Sequence, residues 1–209
     1  MRPSWFALSL VLGASAVVVE ERAVCTTKFV SNYDNLNAPA LVDSLKTVGV
    51  YNGLDYNGFS PAAPPAFLGG VIPNTKKNVI VASLTSDILN LGTDSLKIFG
   101  TIAAQKPVIG FDLTSFYFGC TLFTPASSAT IPLSCTISVA GFYANGKPAP
   151  TVKFSFSPTA GILAPSAMKL AVLPTTYRAL KNVTIGVDSS QVIVPATALA
   201  LDSVSHCNY

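Results

Sequence analysis

The chain reads as an all-β protein, an antiparallel β-sandwich closed by two disulfides. Three observations predict it. Apolar and polar residues alternate with period two along several short runs, as in strands buried on one face. Gly, Pro and Asn cluster between those runs as turn formers, and no run carries the spacing of an amphipathic helix. The four cysteines are an even number, which suits a disulfide framework.

Residues 1–16 read as a secretory leader, with Arg2 as the basic start, an apolar run over 6–12 and Ala14-Ser15-Ala16 as the cleavage site. That run is shorter than the ~20 residues a membrane span needs. Residues 17–22 resemble a short pro-piece, and 17–209 is read as a single domain. Residues 24–30, rich in β-branched side chains, predict a first strand, and 32–39 predict a turn. Residues 48–59 hold aromatics and the pairs Asn52-Gly53 and Asn57-Gly58, typical of type I′ turns. They predict either a strand broken by bulges or an exposed loop. Residues 60–73, with four prolines and Gly69-Gly70, predict an irregular surface loop. Residues 78–84 and 96–102 predict two strands joined through 85–95.

Residues 110–123 are the expected central strand. Apolar residues lie on odd positions at first (Phe111, Leu113) and on even ones later (Phe116, Phe118, Cys120, Leu122). The phase change predicts either a bulge at Thr114-Ser115 or a strand buried on both faces. Leu133, Cys135, Ile137 and Val139 alternate with Ser134, Thr136 and Ser138, and Asn145-Gly146 marks a hairpin. Val152, Phe154 and Phe156 form the next apolar face, followed by Met168, Leu170 and Val172, then by Val183, Ile185 and Val187. Cys120 and Cys135 are expected on consecutive antiparallel strands with both sulfurs facing the core. Their bridge would be worth about 3 kcal/mol in the chain-entropy model. Cys25 and Cys207 then pair by elimination, tying the first strand to the last. The sequon Asn182-Val183-Thr184 places its Asn on a polar strand face, where a glycan fits.

Composition excludes several function classes. Of 209 residues, half are apolar and only 11% charged, with a formal charge of +3 spread without the basic stripe of a nucleic-acid binder. The C-terminal residues show neither a hydrophobic tail nor a retention signal, so a freely secreted protein without a membrane span is expected. No nucleophile elbow, zinc-protease or phosphate-loop motif occurs. The single histidine, His206, is read as an edge-strand residue rather than a catalytic base.

Several motifs recur in order: Tyr-Asp-Asn-Leu at 33–36, Tyr-Asn-Gly-Leu-x-Tyr at 51–56 running on to Phe59, and Phe-Asp-Leu-x-Ser-Phe-x-Phe-Gly-Cys at 111–120. Ser134-Cys135, Gly141-Phe142 and Leu-Asp-x-Val at 201–204 follow. With them the chain resembles small fungal secreted jelly-roll proteins, similar to galactose-binding domains and carbohydrate-binding modules. The resemblance implies a structural Ca²⁺ held by Asp34 and Asp202, with Asn35 and Asp112 as helpers. It also implies a non-catalytic carbohydrate- or cell-wall-binding role. The candidate platform is Tyr51, Asn52, Asp55, Tyr56, Asn57 and Phe59, whose rings would stack on sugars while polar tips bond hydroxyls. The absence of tryptophan from the mature part counts against that platform. A secreted structural or interaction protein with an extracellular protein partner is the alternative, and a jelly-roll lyase or hydrolase a third.

Overall fold

A computed structural model describes residues 25, 27–38, 47–63, 70–83, 98–122, 131–159, 164–188 and 197–209. The leader, the pro-piece and the 85–95 connection lie outside them. Among the described residues every regular element is a strand, and no helix is long and apolar enough to cross a membrane.

The ladder divides into two halves. In one, β2 (Gly49–Tyr51), β3 (Leu54–Asn57), β7 (Phe99–Ala104), β14 (Leu180–Val187), β10 (Cys135–Tyr143) and β11 (Val152–Phe156) lie side by side. In the other, β8 (Phe111–Leu122) and β15 (Thr197–Asn208) form the long central pair. β9 (Ile131–Leu133) and β13 (Lys169–Val172) flank β8; β1 (Thr27–Ser31) and β6 (Val79–Ser83) flank β15; β4 (Ser60–Ala62) borders β6. A single pairing, Leu180 with Phe111, joins the halves. Their facing sides fill one core in which Phe116 and Phe118 of β8 meet Phe154 and Phe156 of β11 at ring separations of 6.2–6.4 Å. A small parallel pair, β5 (Val71–Ile72) with β12 (Ser166–Ala167), stands apart from this ladder.

The expected bulge is present. Ser205 pairs with Ser115 but His206 with Leu113, so Thr114 is the extra residue of β8. Burial changes phase there: Leu113 and Phe116 are both inside while Thr114 is exposed. Both disulfides form as expected, Cys25–Cys207 and Cys120–Cys135. The strands carrying the second pair are not neighbours, however. Cys120 lies opposite Leu133 of β9, the run breaks at Ser134, and Cys135 begins β10 in the other half. Cys120–Cys135 therefore staples the two layers.

Two expectations are corrected. In residues 60–73, Ser60, Pro61 and Ala62 are a buried strand rather than surface loop. Among the described strands it pairs only β6, and an edge position is where a strand tolerates proline. After Met168 the alternation slips by one: Lys169, Leu170 and Val172 are exposed and Ala171 is buried. Met168 still bonds to Ile72, whereas Lys169 already pairs with Phe118; the change of partner resets the inward phase.

Candidate functional site

Paired residues of adjacent antiparallel strands share a face, so register alone lays out the outer surface of the β2–β11 half. One row runs Asn57, Thr101, Thr184, Ala140; the next runs Asp55, Ala103, Asn182, Phe142; a third runs Phe99, Gly186, Ser138, Lys153. Between the first and third rows lies a groove of about 340 Å³, within the size range of small-ligand sites. Its floor is small because β14 and β10 present Gly186, Ser138 and Ala140 there. A Cβ at Gly186 would stand 2.7 Å from the Phe99 Cβ and 2.8 Å from the Ile98 carbonyl oxygen. Only glycine lets Phe99 close in as a wall.

The groove is polar at its far end. Lys153 Nζ lies 2.5 Å from Asp188 Oδ2, and the Ser138 hydroxyl reaches the same oxygen at 3.5 Å. The Asp188 amide donates to the Thr136 carbonyl at 2.9 Å, which holds the carboxylate in place. Thr184 and Thr101 share a hydroxyl contact of 3.3 Å. The lining thus combines an apolar wall (Phe99) with hydroxyls and a carboxylate on a rigid sheet, bordered by Ile98 and Val187, whose side chains are buried on the other face. Such a surface matches a ligand that has apolar ring faces and many hydroxyls. Asp188 is the one carboxylate among the described lining residues, whereas glycoside hydrolysis as usually performed needs a pair.

The residues expected to form a ligand platform separate. Tyr56 and Phe59 are fully buried in the core, where Tyr56 packs edge-on against Tyr33 and Phe59. Neither ring can stack on a sugar, and the reason is the alternation of β3 itself: Leu54 and Tyr56 point in, Asp55 and Asn57 out. Asn52-Gly53 is the tight turn of the β2–β3 hairpin, with φ of 49° and 79°. Tyr51 is half-buried and donates its hydroxyl to Asn35 at 2.7 Å. Asp55 and Asn57 remain on the outer face, Asn57 in the row that leads through Thr101 to Thr184.

The residues expected to hold calcium have other partners. Asp202 is buried and accepts hydrogen bonds from the Thr75 amide at 2.8 Å and the Ser203 amide at 2.5 Å. Burial pushes its carboxyl above the usual carboxylate range, against the pull of those donors. Asp34 accepts from the amides of Lys77 and Asn78 at 2.8 and 3.1 Å. The two carboxylates converge on one loop, where backbone N–H groups bond to both Asp202 oxygens and to Asp34 Oδ1. Asp112 is elsewhere, accepting from the Ala179 amide and the Tyr209 hydroxyl. Among the described residues no three acidic, His or Cys side chains gather as a metal site.

One polar cluster escapes a reading along the chain. His206 is buried, not an edge residue, and its Nε2 accepts from the Ser31 hydroxyl at 3.1 Å. Its Nδ1 donates to Asn208 Oδ1 at 2.8 Å. Asn208 Nδ2 donates to the Asn52 carbonyl, and Asn52 Nδ2 donates to Ser31 Oγ, closing a ring of four hydrogen bonds. The ring fixes the tautomer, and burial lowers the His206 pKa. The order Ser–His–Asn matches a hydrolytic triad, yet Ser31 and His206 are almost wholly shielded from solvent and Asn52 occupies a second site on the Ser31 oxygen. The ring ties β1, the β2–β3 turn and β15 together. Beside it the Tyr33 and Tyr56 hydroxyls are buried next to each other, and burial pushes Tyr56 up to about 12.

No family model matches the chain, and no curated protein matches it in sequence. Among solved structures it is similar to a DUF4465 family protein from Bacteroides caccae, with a TM-score of 0.53 and 10% identity over 88% of this chain and 100% of that one. That likeness shows the fold. The CBM22-2 xylan-binding domain from Paenibacillus barcinonensis Xyn10C overlaps 87% of this chain and 99% of its own at 10% identity and a TM-score of 0.36. An exo-beta-agarase overlaps 86% of this chain and 24% of its own at 9% identity and 0.40. Likenesses at those scores do not bear on function.

Proposed function

We propose that the protein is a secreted, non-catalytic carbohydrate-binding sandwich and that the groove beside Phe99 is its ligand site. The observation that carries this reading is the lining: one aromatic wall, a floor of small residues and a rim of hydroxyls, with a carboxylate at one end. A pyranose offers C–H faces to the ring and hydroxyls to Ser138, Thr184 and Asp188, so each part of the lining has a counterpart. Two disulfides suit an oxidising, extracellular setting. Filling the groove tests the reading. Ala140→Trp, on the outer face and away from the core, should lower retention on chitin, glucan or xylan at least ~10-fold while leaving the melting curve unchanged. Unglycosylated protein that binds none of these, or an A140W variant that binds equally well, would contradict it.

A second reading has its own observation. Leu170 and Val172 stand exposed at 43% and 62% on β13, which among the described strands pairs only β8. An extracellular protein partner adding to that edge would bury them. In that case Leu170→Lys, and not A140W, abolishes capture of the partner.

A further inference from the structure

Asn182 and the groove occupy the same face. The side chain of Asn182 stands in register between Ala103 of β7 and Phe142 of β10, so strands border it on both sides. Thr184, which completes the sequon, is itself a groove residue. Alternate residues on a strand are ~7 Å apart, about the span of one sugar ring. A glycan rooted at Asn182 therefore starts one ring length from the groove, on a sheet interior rather than at an edge where it could hang into solvent. Phe142, 36% exposed in the neighbouring position, offers an apolar surface to hold the first sugar against the sheet. The groove's chemistry, suited to pyranoses, is equally suited to the protein's own.

We propose that an N-glycan at Asn182 lies across this groove and restricts it, so that glycosylation sets the access of external ligands. The ligand half of this statement rests on the function proposed above; the occlusion half does not. In the protein secreted from a glycosylating eukaryotic host, intact-mass analysis should find Asn182 occupied. Ala140→Cys then reports access to the groove floor, with Val172→Cys on the other layer as the control. A bulky maleimide should label A140C at least tenfold more slowly in the glycosylated protein than in the N182Q background or after enzymatic deglycosylation, while V172C reacts alike in all. N182Q alone should retain polysaccharide more strongly than the glycosylated wild type. An unmodified Asn182, or equal A140C labelling with and without the glycan, would overturn the proposal. Should labelling differ tenfold while N182Q binds no polysaccharide, occlusion stands and the carbohydrate-binding reading falls.

Discussion

The ring around His206 and the groove around Asp188 are assembled from similar parts, and they differ in access. Each joins a serine hydroxyl to a charged or titratable side chain across strands. In the ring four hydrogen bonds link the side chains to one another and to the Asn52 carbonyl, and Ser31, His206 and Asn208 are all buried. In the groove Ser138 and Asp188 are partly open, and Lys153, at 61% side-chain exposure, lies at the surface. A triad-like order of residues is therefore no sign of chemistry without a path for substrate. An ordinary polar strand face becomes a candidate site once a glycine and an alanine lower its floor.

The largest effect should come from breaking the ring. His206→Ala removes the acceptor of the Ser31 hydroxyl proton, the N–H donor to the Asn208 side-chain oxygen, and the ring stacked on Phe29 at 5.2 Å. Losing two buried hydrogen bonds of this kind costs roughly 3 kcal/mol, read as a lower urea midpoint. Polysaccharide retention of the folded fraction should not change.

Next in size is the pH dependence of the same ring. The folded protein holds His206 neutral, whereas the unfolded chain protonates near 6.5, so below that value the unfolded state binds more protons. Stability is then full above about pH 6.5 and falls as pH drops toward 5. Asp202, whose carboxyl burial pushes up, contributes with the opposite slope. The difference between wild type and His206→Gln across pH 5–7 isolates the histidine, and equal slopes would remove it as the cause.

The smallest effect belongs to the groove's ion pair. Lys153→Ala should alter stability by no more than about 0.5 kcal/mol, since an exposed pair is screened by water and salt. A larger loss in denaturant titration would make the pair structural and blur the contrast between the two clusters.

Much of the sandwich was legible because period-two alternation is a local signal. The inward cysteines followed from it directly, whereas the phase change at Thr114-Ser115 left a bulge and a strand buried on both faces as alternatives, of which the bulge is present. Two features were not local. Nothing between Leu133 and Val139 marks Ser134 as the point where the chain leaves one layer for the other. The exposed Leu170 and Val172 likewise follow from a change of pairing partner, not from their own composition. Within 51–59, Leu54-Asp55-Tyr56-Asn57 alternates as cleanly as any strand and sends Tyr56 inside, a local signal that the aromatic composition masks. The groove draws on β7, β10 and β14, and Ser31 meets His206 across 175 positions. A glycine within a strand, Gly186, was the available sequence signal for the former; the latter had none.

Amide hydrogen exchange of the N182Q protein with and without soluble chitin, glucan or xylan oligosaccharide tests the central claim most directly. Slowed exchange at Phe99, 138–140 and 184–188, with no change at 51–59, is the result the groove predicts. Protection confined to 51–59 or to β13, or absent with every oligosaccharide, would contradict it.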